Sequence, residues 1–127
     1  MLNDRRKVAR YMTQLDIDII LEDGTILPVQ THDISLDGLQ FKCDSVIANE
    51  IEPRGLQSHS LDHLKIKVIA RLPTSETEKF YASCKVIIAR RLSQDEYLIN
   101  LEFTAFEKNG SKVLQDYIKK LALNESG

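Results

Sequence analysis

Apolar and polar residues alternate with period two along most of this chain. Leu15, Ile17, Ile19 and Leu21 interleave with Asp16, Asp18 and Glu22, the pattern of a strand with one face in a core. Asp23-Gly24 follows as a hairpin turn signal. A second strand is expected from Ile26 to Ile34, then a turn at Asp37-Gly38 and a third strand over Leu39–Cys43. Residues 44–60 are polar and broken by Pro53 and Gly55, which predicts a long loop with a helical turn near Ile47–Ile51. Leu64–Leu72, Phe80–Arg90 and Glu96–Phe103 alternate again, the last two joined by a polar turn at Ser93–Asp95. The period then changes. Val113, Leu114, Tyr117, Ile118 and Leu121 line one side of a helix expected over about 106–122. Thr104 with Glu107 could cap an early start, Gly110 favours one near Ser111, and Lys119 and Lys120 would then fall in the last turn.

About six short strands and one terminal helix, with no βαβ alternation, exclude a doubly wound parallel sheet and favour a small antiparallel barrel or sandwich. The 127 residues make one domain. A basic arm over 1–10 would precede a barrel and helix over 11–123. No apolar run is long enough to span a membrane, and the opening MLNDRRKVAR has no apolar core, so it is neither signal peptide nor anchor. Two cysteines, Cys43 and Cys84, sit in apolar alternating stretches, as small buried hydrophobes of a reducing cytoplasm do.

Charge is uneven. The net charge is −2, yet Arg5, Arg6, Lys7 and Arg10 against Asp4 give the first ten residues +3, leaving −5 on the rest. A basic arm on an acidic body suits an anionic ligand. Catalytic chemistry finds little support. Nucleophile elbow, P-loop and dinucleotide fingerprint are all missing, and His59 and His63 with Asp62 lie in an expected loop, so neither an enzyme nor a metal site is expected. A barrel that binds single-stranded nucleic acid would need stacking aromatics and a basic groove. Here Phe41, Phe80 and Phe103 sit in apolar strand positions and Trp is absent.

Two motifs remain. Arg6-Lys7-Val8-Ala9-Arg10 is R-x-x-x-R, and after 22 residues Asp33-Ile34-Ser35-Leu36-Asp37-Gly38 is D-x-S-x-x-G. Chance would give the first about 0.4 times and the second about 0.03 times in such a chain. In this order, one before the first strand and one at a strand end, they resemble the two-part signature of the PilZ domain, the bacterial receptor domain for cyclic dimeric GMP. The resemblance implies a six-stranded antiparallel β-barrel with a C-terminal helix. It also implies that Arg6 and Arg10 contact guanine and phosphate, and that Asp33, Ser35 and Gly38 complete the site. Arg5, just before the first motif, is the place where an arginine goes with binding a stacked dimer of the nucleotide. The chemistry agrees: an arginine fork matches guanine O6 and N7, and a carboxylate accepts from the N–H edge. Gly38 would allow a positive φ or a close backbone approach, and Ser35 would offer its hydroxyl to base or phosphate unless it merely faces solvent.

The expected function is a cytoplasmic cyclic dimeric GMP receptor that changes conformation and signals to an effector protein in motility or biofilm regulation. The alternative is a nucleotide-independent interaction module of the same fold. Two departures from the family concern the rim: the 44–60 loop lacks a compact Gly-Asp turn, and Ser83 or Cys84 stands where a fifth-strand glycine is common. Whether Arg90 and Arg91 reach the site is open at this point.

Overall fold

The computed structural model describes residues 8–57, 60–73 and 78–126. Among these described residues, seven strands and two helices follow in the order β1 (Tyr11–Met12), β2 (Asp16–Ile20), β3 (Ile26–Ile34), β4 (Gly38–Cys43), α1 (Ser45–Ile51), β5 (Lys65–Arg71), β6 (Lys79–Ser93), β7 (Glu96–Phe106) and α2 (Gly110–Ser126). All pairings are antiparallel. The sheet runs β1-β3-β2-β5-β6-β7-β4, and β4 pairs back on β3. Six strands thus close a barrel, and β1 lies outside it, paired to β3 through Tyr11 with Ile34 and Met12 with Asp33.

The alternation read from the sequence fills the interior. Ile17 and Ile19 of β2, Ile34 of β3, Leu39 and Phe41 of β4, Val68 and Ala70 of β5 and Phe80 of β6 are fully buried. Phe103 packs edge-on against Phe80, with ring centroids 5.8 Å apart and planes at 89°, so these aromatics serve the core. On β6 the inward phase changes from Phe80, Ala82, Cys84 and Val86 to Ala89. A bulge causes this: Val86 pairs with Leu101 and Ile88 with Asn100, leaving Ile87 extra and both isoleucines exposed.

The loop after β4 holds more structure than the expected helical turn. Asp44 caps α1, its Oδ1 accepting from Ile47 N at 3.0 Å. Ala48 and Ile51, with Leu56 beyond the helix, join the core.

The terminal helix starts later and ends later than the expected 106–122. β7 continues to Phe106 because Glu107 N donates to Tyr81 O at 3.0 Å and Thr104 Oγ1 donates to Ser83 O at 3.1 Å. Thr104 is therefore a strand residue and not a cap. Lys108 turns the chain at φ 53, and Val113 N donates to Asn109 O to open α2. Val113, Leu114, Tyr117 and Ile118 form its buried face against β6 and β1. Since α2 runs to Ser126, Lys119 and Lys120 stand before its last turn, not in it. Among the described residues no helix is long and apolar enough to cross a membrane.

Candidate functional site

The C-terminal end of β3 is where the two motifs meet. Gln30 faces Lys42 and Thr31 faces Phe41, but the next pair is Asp33 with Gln40, so His32 is an extra, bulged residue. Thr31 continues the inward phase of Leu27, and the bulge shifts the phase after it, so that Ile34 points inward and Asp33 stands opposite Gln40 of β4 and Met12 of β1. Asp33 is only 6% exposed. A carboxylate held that far from water needs donors, and it has two. Arg10 Nη1 donates to Oδ1 at 2.8 Å, and Gln40 Nε2 donates to Oδ2 at 2.7 Å. The Arg10 side chain remains 40% exposed.

What brings Arg10 there is the short strand that follows it. Thr13 N donates to His32 O at 3.3 Å, and the Thr31 hydroxyl donates to Thr13 O while accepting from Leu15 N at 2.9 Å. Thr13 Oγ1 and the Tyr117 hydroxyl hydrogen-bond each other at 3.1 Å, tying this segment to α2. The root of the arginine segment is thus anchored to both barrel and helix. Arg5 and Arg6 lie outside the described residues.

The rest of the second motif forms the turn after β3. Ser35 is fully buried and does not face solvent. Its Oγ donates to Asp37 Oδ1 at 2.6 Å and accepts from the N–H groups of Asp37 and Gly38 at 3.3 and 3.2 Å. Ser35 N donates to Gly38 O at 2.8 Å. Phe103 N donates to Asp37 O at 2.8 Å, which fastens the turn to β7. Gly38 pairs with Glu102, and a Cβ there would stand 2.1 Å from Leu101 O. Of the two reasons for glycine at this place, close backbone approach is the operative one.

A guanidinium fork just before β1 lies beside a buried carboxylate at the end of β3, groups whose chemistry can match a planar polar molecule with donors and acceptors on its edges. Sequence reasoning missed Gln40, whose partner is fixed by the bulge, and Thr31, whose polar side chain sits in the barrel wall. The Asp37-Gly38 dipeptide marked a turn here, and the D-x-S-x-x-G spacing alone marked it as a candidate site.

Other candidates lie apart from it. β7 and β4 separate Arg90 and Arg91 of β6 from β3. The Arg91 guanidinium stacks over Tyr97 at 5.8 Å and donates to the Ser93 and Gln94 carbonyls. His63 contacts Glu52 Oε1 at 3.0 Å, and Arg54 Nη2 donates to the same oxygen at 2.8 Å. The hydrogen bonds from the Arg54 side chain, with those from its backbone N–H and from His63, bring the Glu52 carboxyl down to about 2 against the opposing effect of desolvation. His59 lies outside the described residues, and among those described no cluster of three potential metal ligands occurs. Burial pushes both thiols, Cys43 and Cys84, up to about 12, Cys43 with help from Asp44.

No family model matches the sequence, and no curated protein matches it. Solved structures do. The Bacillus subtilis inhibitor of motility MotI/DgrA superposes with a TM-score of 0.71 at 19% identity over 96% of this chain and 53% of that one. K. pneumonia MrkH gives 0.66 at 17% identity over 99% of this chain and 54% of that one. The PilZ domain of Escherichia coli YcgR, solved with c-di-GMP, gives 0.66 at 15% identity over 96% and 95%. The chain therefore spans about half the length of the first two and nearly all of the third. At such identities the shared property is the architecture, and the barrel, its outer strand and the C-terminal helix make that architecture the PilZ fold.

Proposed function

We propose that this chain is a receptor for cyclic dimeric GMP. The observation that carries the reading is the Arg10–Asp33 pair, in which the last arginine of R-x-x-x-R meets the carboxylate of D-x-S-x-x-G across the β1–β3 contact. Arg5, Arg6 and Arg10 supply guanidinium groups for the guanine Hoogsteen edge and the phosphates. Asp33 accepts from the guanine N–H edge through lone pairs that Arg10 and Gln40 leave free. Ser35 and Gly38 act by fixing the turn that presents this carboxylate. Support comes from the fold shared with the YcgR domain and with MrkH, each of which has a structure with c-di-GMP.

Binding would draw the residues before β1 over the barrel and give an effector protein a new surface. In energetic terms this is a population shift set by the ligand's greater affinity for the closed form. The test is thermal melting with cyclic dimeric GMP, with GMP and GTP as controls. A ligand present at a hundred times its dissociation constant stabilises by about 2.7 kcal/mol, so a rise of several degrees with the cyclic dinucleotide alone is expected. An unchanged melting temperature at millimolar ligand would overturn the reading in favour of the nucleotide-independent interaction module.

A further inference from the structure

A groove of about 520 Å³ runs along the outer face of β3. Residues 28–32 form its floor, Gln14 and Asp16 one flank, and Lys42 of β4 the other. His32 is the bulged residue immediately before Asp33, so the groove opens where the Arg10–Asp33–Gln40 cluster ends. The volume lies within the range of roughly 300–1,000 Å³ common for small-molecule sites.

The groove carries one cation and one carboxylate, on opposite flanks. Gln30 pairs with Asp16 on one side and Lys42 on the other. Its Nε2 donates to Asp16 Oδ1 at 3.0 Å, which engages the one carboxylate that lines the groove. Lys42 is exposed and has no acidic partner within salt-bridge distance among the described residues, although the chain beyond residue 10 carries a net −5. His32 likewise makes no ion pair among the described residues.

We infer that this groove is the second half of the ligand site, with Lys42 holding a phosphodiester and His32 contacting the adjoining sugar-phosphate or base. The inference rests on the cyclic dimeric GMP reading. That ligand has two guanines and two phosphates, whereas the Asp33 carboxylate offers one edge for a base. A molecule read at Asp33 can extend past His32 into this groove, which carries Lys42 on its far flank. An ammonium recognises a phosphate as a point charge, without the planar geometry an arginine imposes. Lys42 would thereby separate dinucleotides from mononucleotides, since GMP docked at Asp33 would not span the groove.

The experiment is a calorimetric titration of the unmodified protein, Lys42→Ala, Lys42→Arg and His32→Ala with cyclic dimeric GMP and with GMP at two salt concentrations. Lys42→Ala should weaken cyclic dinucleotide binding about 5- to 10-fold and lower the slope of log affinity against log salt by about one. Lys42→Arg should retain most of the affinity, His32→Ala should weaken binding severalfold, and GMP should respond to neither alanine variant. Both side chains lie on the outer wall, so melting temperatures should stay unchanged. If the unmodified protein binds the cyclic dinucleotide and the alanine variants match it in affinity and salt slope, this inference fails and the receptor reading stands. If the unmodified protein binds none, both fail.

Discussion

Arg10 and Asp33 stand 23 residues apart in sequence and 2.8 Å apart in space. They are joined because a two-residue strand, Tyr11–Met12, pairs with Ile34 and Asp33 at the end of β3. Each motif alone has an ordinary explanation, a charged terminus or a turn. The contact makes them one site. The pair joins a partly exposed guanidinium to a buried carboxylate, so it satisfies Asp33 in the folded chain as well as presenting Arg10. The Arg10 side chain is 40% exposed and so stays within reach of a ligand.

Arg10→Ala and Asp33→Asn should therefore lower both stability and binding. Urea denaturation should show a loss of about 1–3 kcal/mol in Arg10→Ala, which leaves the buried Asp33 carboxylate with Gln40 alone, and a smaller loss in Asp33→Asn. Affinity for cyclic dimeric GMP should fall at least tenfold in both. A large stability loss with unchanged affinity would make the pair a structural tie only.

Gly38→Ala should be among the most damaging small substitutions. Its Cβ would lie 2.1 Å from Leu101 O, a backbone atom in the neighbouring strand. Forced overpacking costs roughly 1–3 kcal/mol or more, and β4 would have to part from β7 where the Asp33 turn is fastened. Equilibrium unfolding should show a loss of at least about 2 kcal/mol.

Ser35→Ala removes a buried acceptor that two turn N–H groups share. Leaving such groups without a partner costs about 1–3 kcal/mol. The expected result in chemical denaturation is a loss in that range, together with weaker ligand binding. Ser35→Thr, which keeps the hydroxyl, should bind more tightly than Ser35→Ala if its larger side chain is accommodated.

Glu52 predicts an acid limb in stability. Its carboxyl falls from 4.5 to about 2 in the folded chain, chiefly through hydrogen bonds from Arg54. A depressed folded value means that the stabilisation is complete above the unfolded value and is lost as pH falls from about 4.5 toward 2. Glu52→Gln should be less stable at neutral pH and should show a flatter decline across that window in urea melts.

The cysteines predict silence. With both thiols buried and pushed up to about 12, thiolate is scarce at pH 8. A disulfide-exchange reagent should label neither Cys43 nor Cys84 in the native protein and both after unfolding. Rapid native labelling would show that the barrel opens locally at β4 or β6.

The strands were legible because a one-sided wall repeats every two residues, as Ile17 and Ile19 against Asp16 and Asp18 illustrate. The buried side of α2 was legible from Val113, Leu114, Tyr117 and Ile118. β1 was not, since two residues cannot display a period and their pairing is decided by β3. The bulges at His32 and Ile87 were equally hidden, because an inserted residue alters register without altering composition. For that reason Gln40 could not be tied to Asp33 from the sequence, nor His32 and Lys42 to a groove. The helix start was obscured because Thr104 and Glu107, a plausible cap by spacing, are used in the ladder that joins β7 to β6.

The most direct test is a calorimetric titration of the purified protein with cyclic dimeric GMP at moderate salt, beside Arg10→Ala and with GMP and GTP as controls. The account predicts selective saturable binding that Arg10→Ala weakens at least tenfold. A stoichiometry near two per chain would match a stacked dimer held with Arg5, and near one a single molecule. No heat of binding with the cyclic dinucleotide, in a protein that is folded by its melting curve, would contradict the central claim.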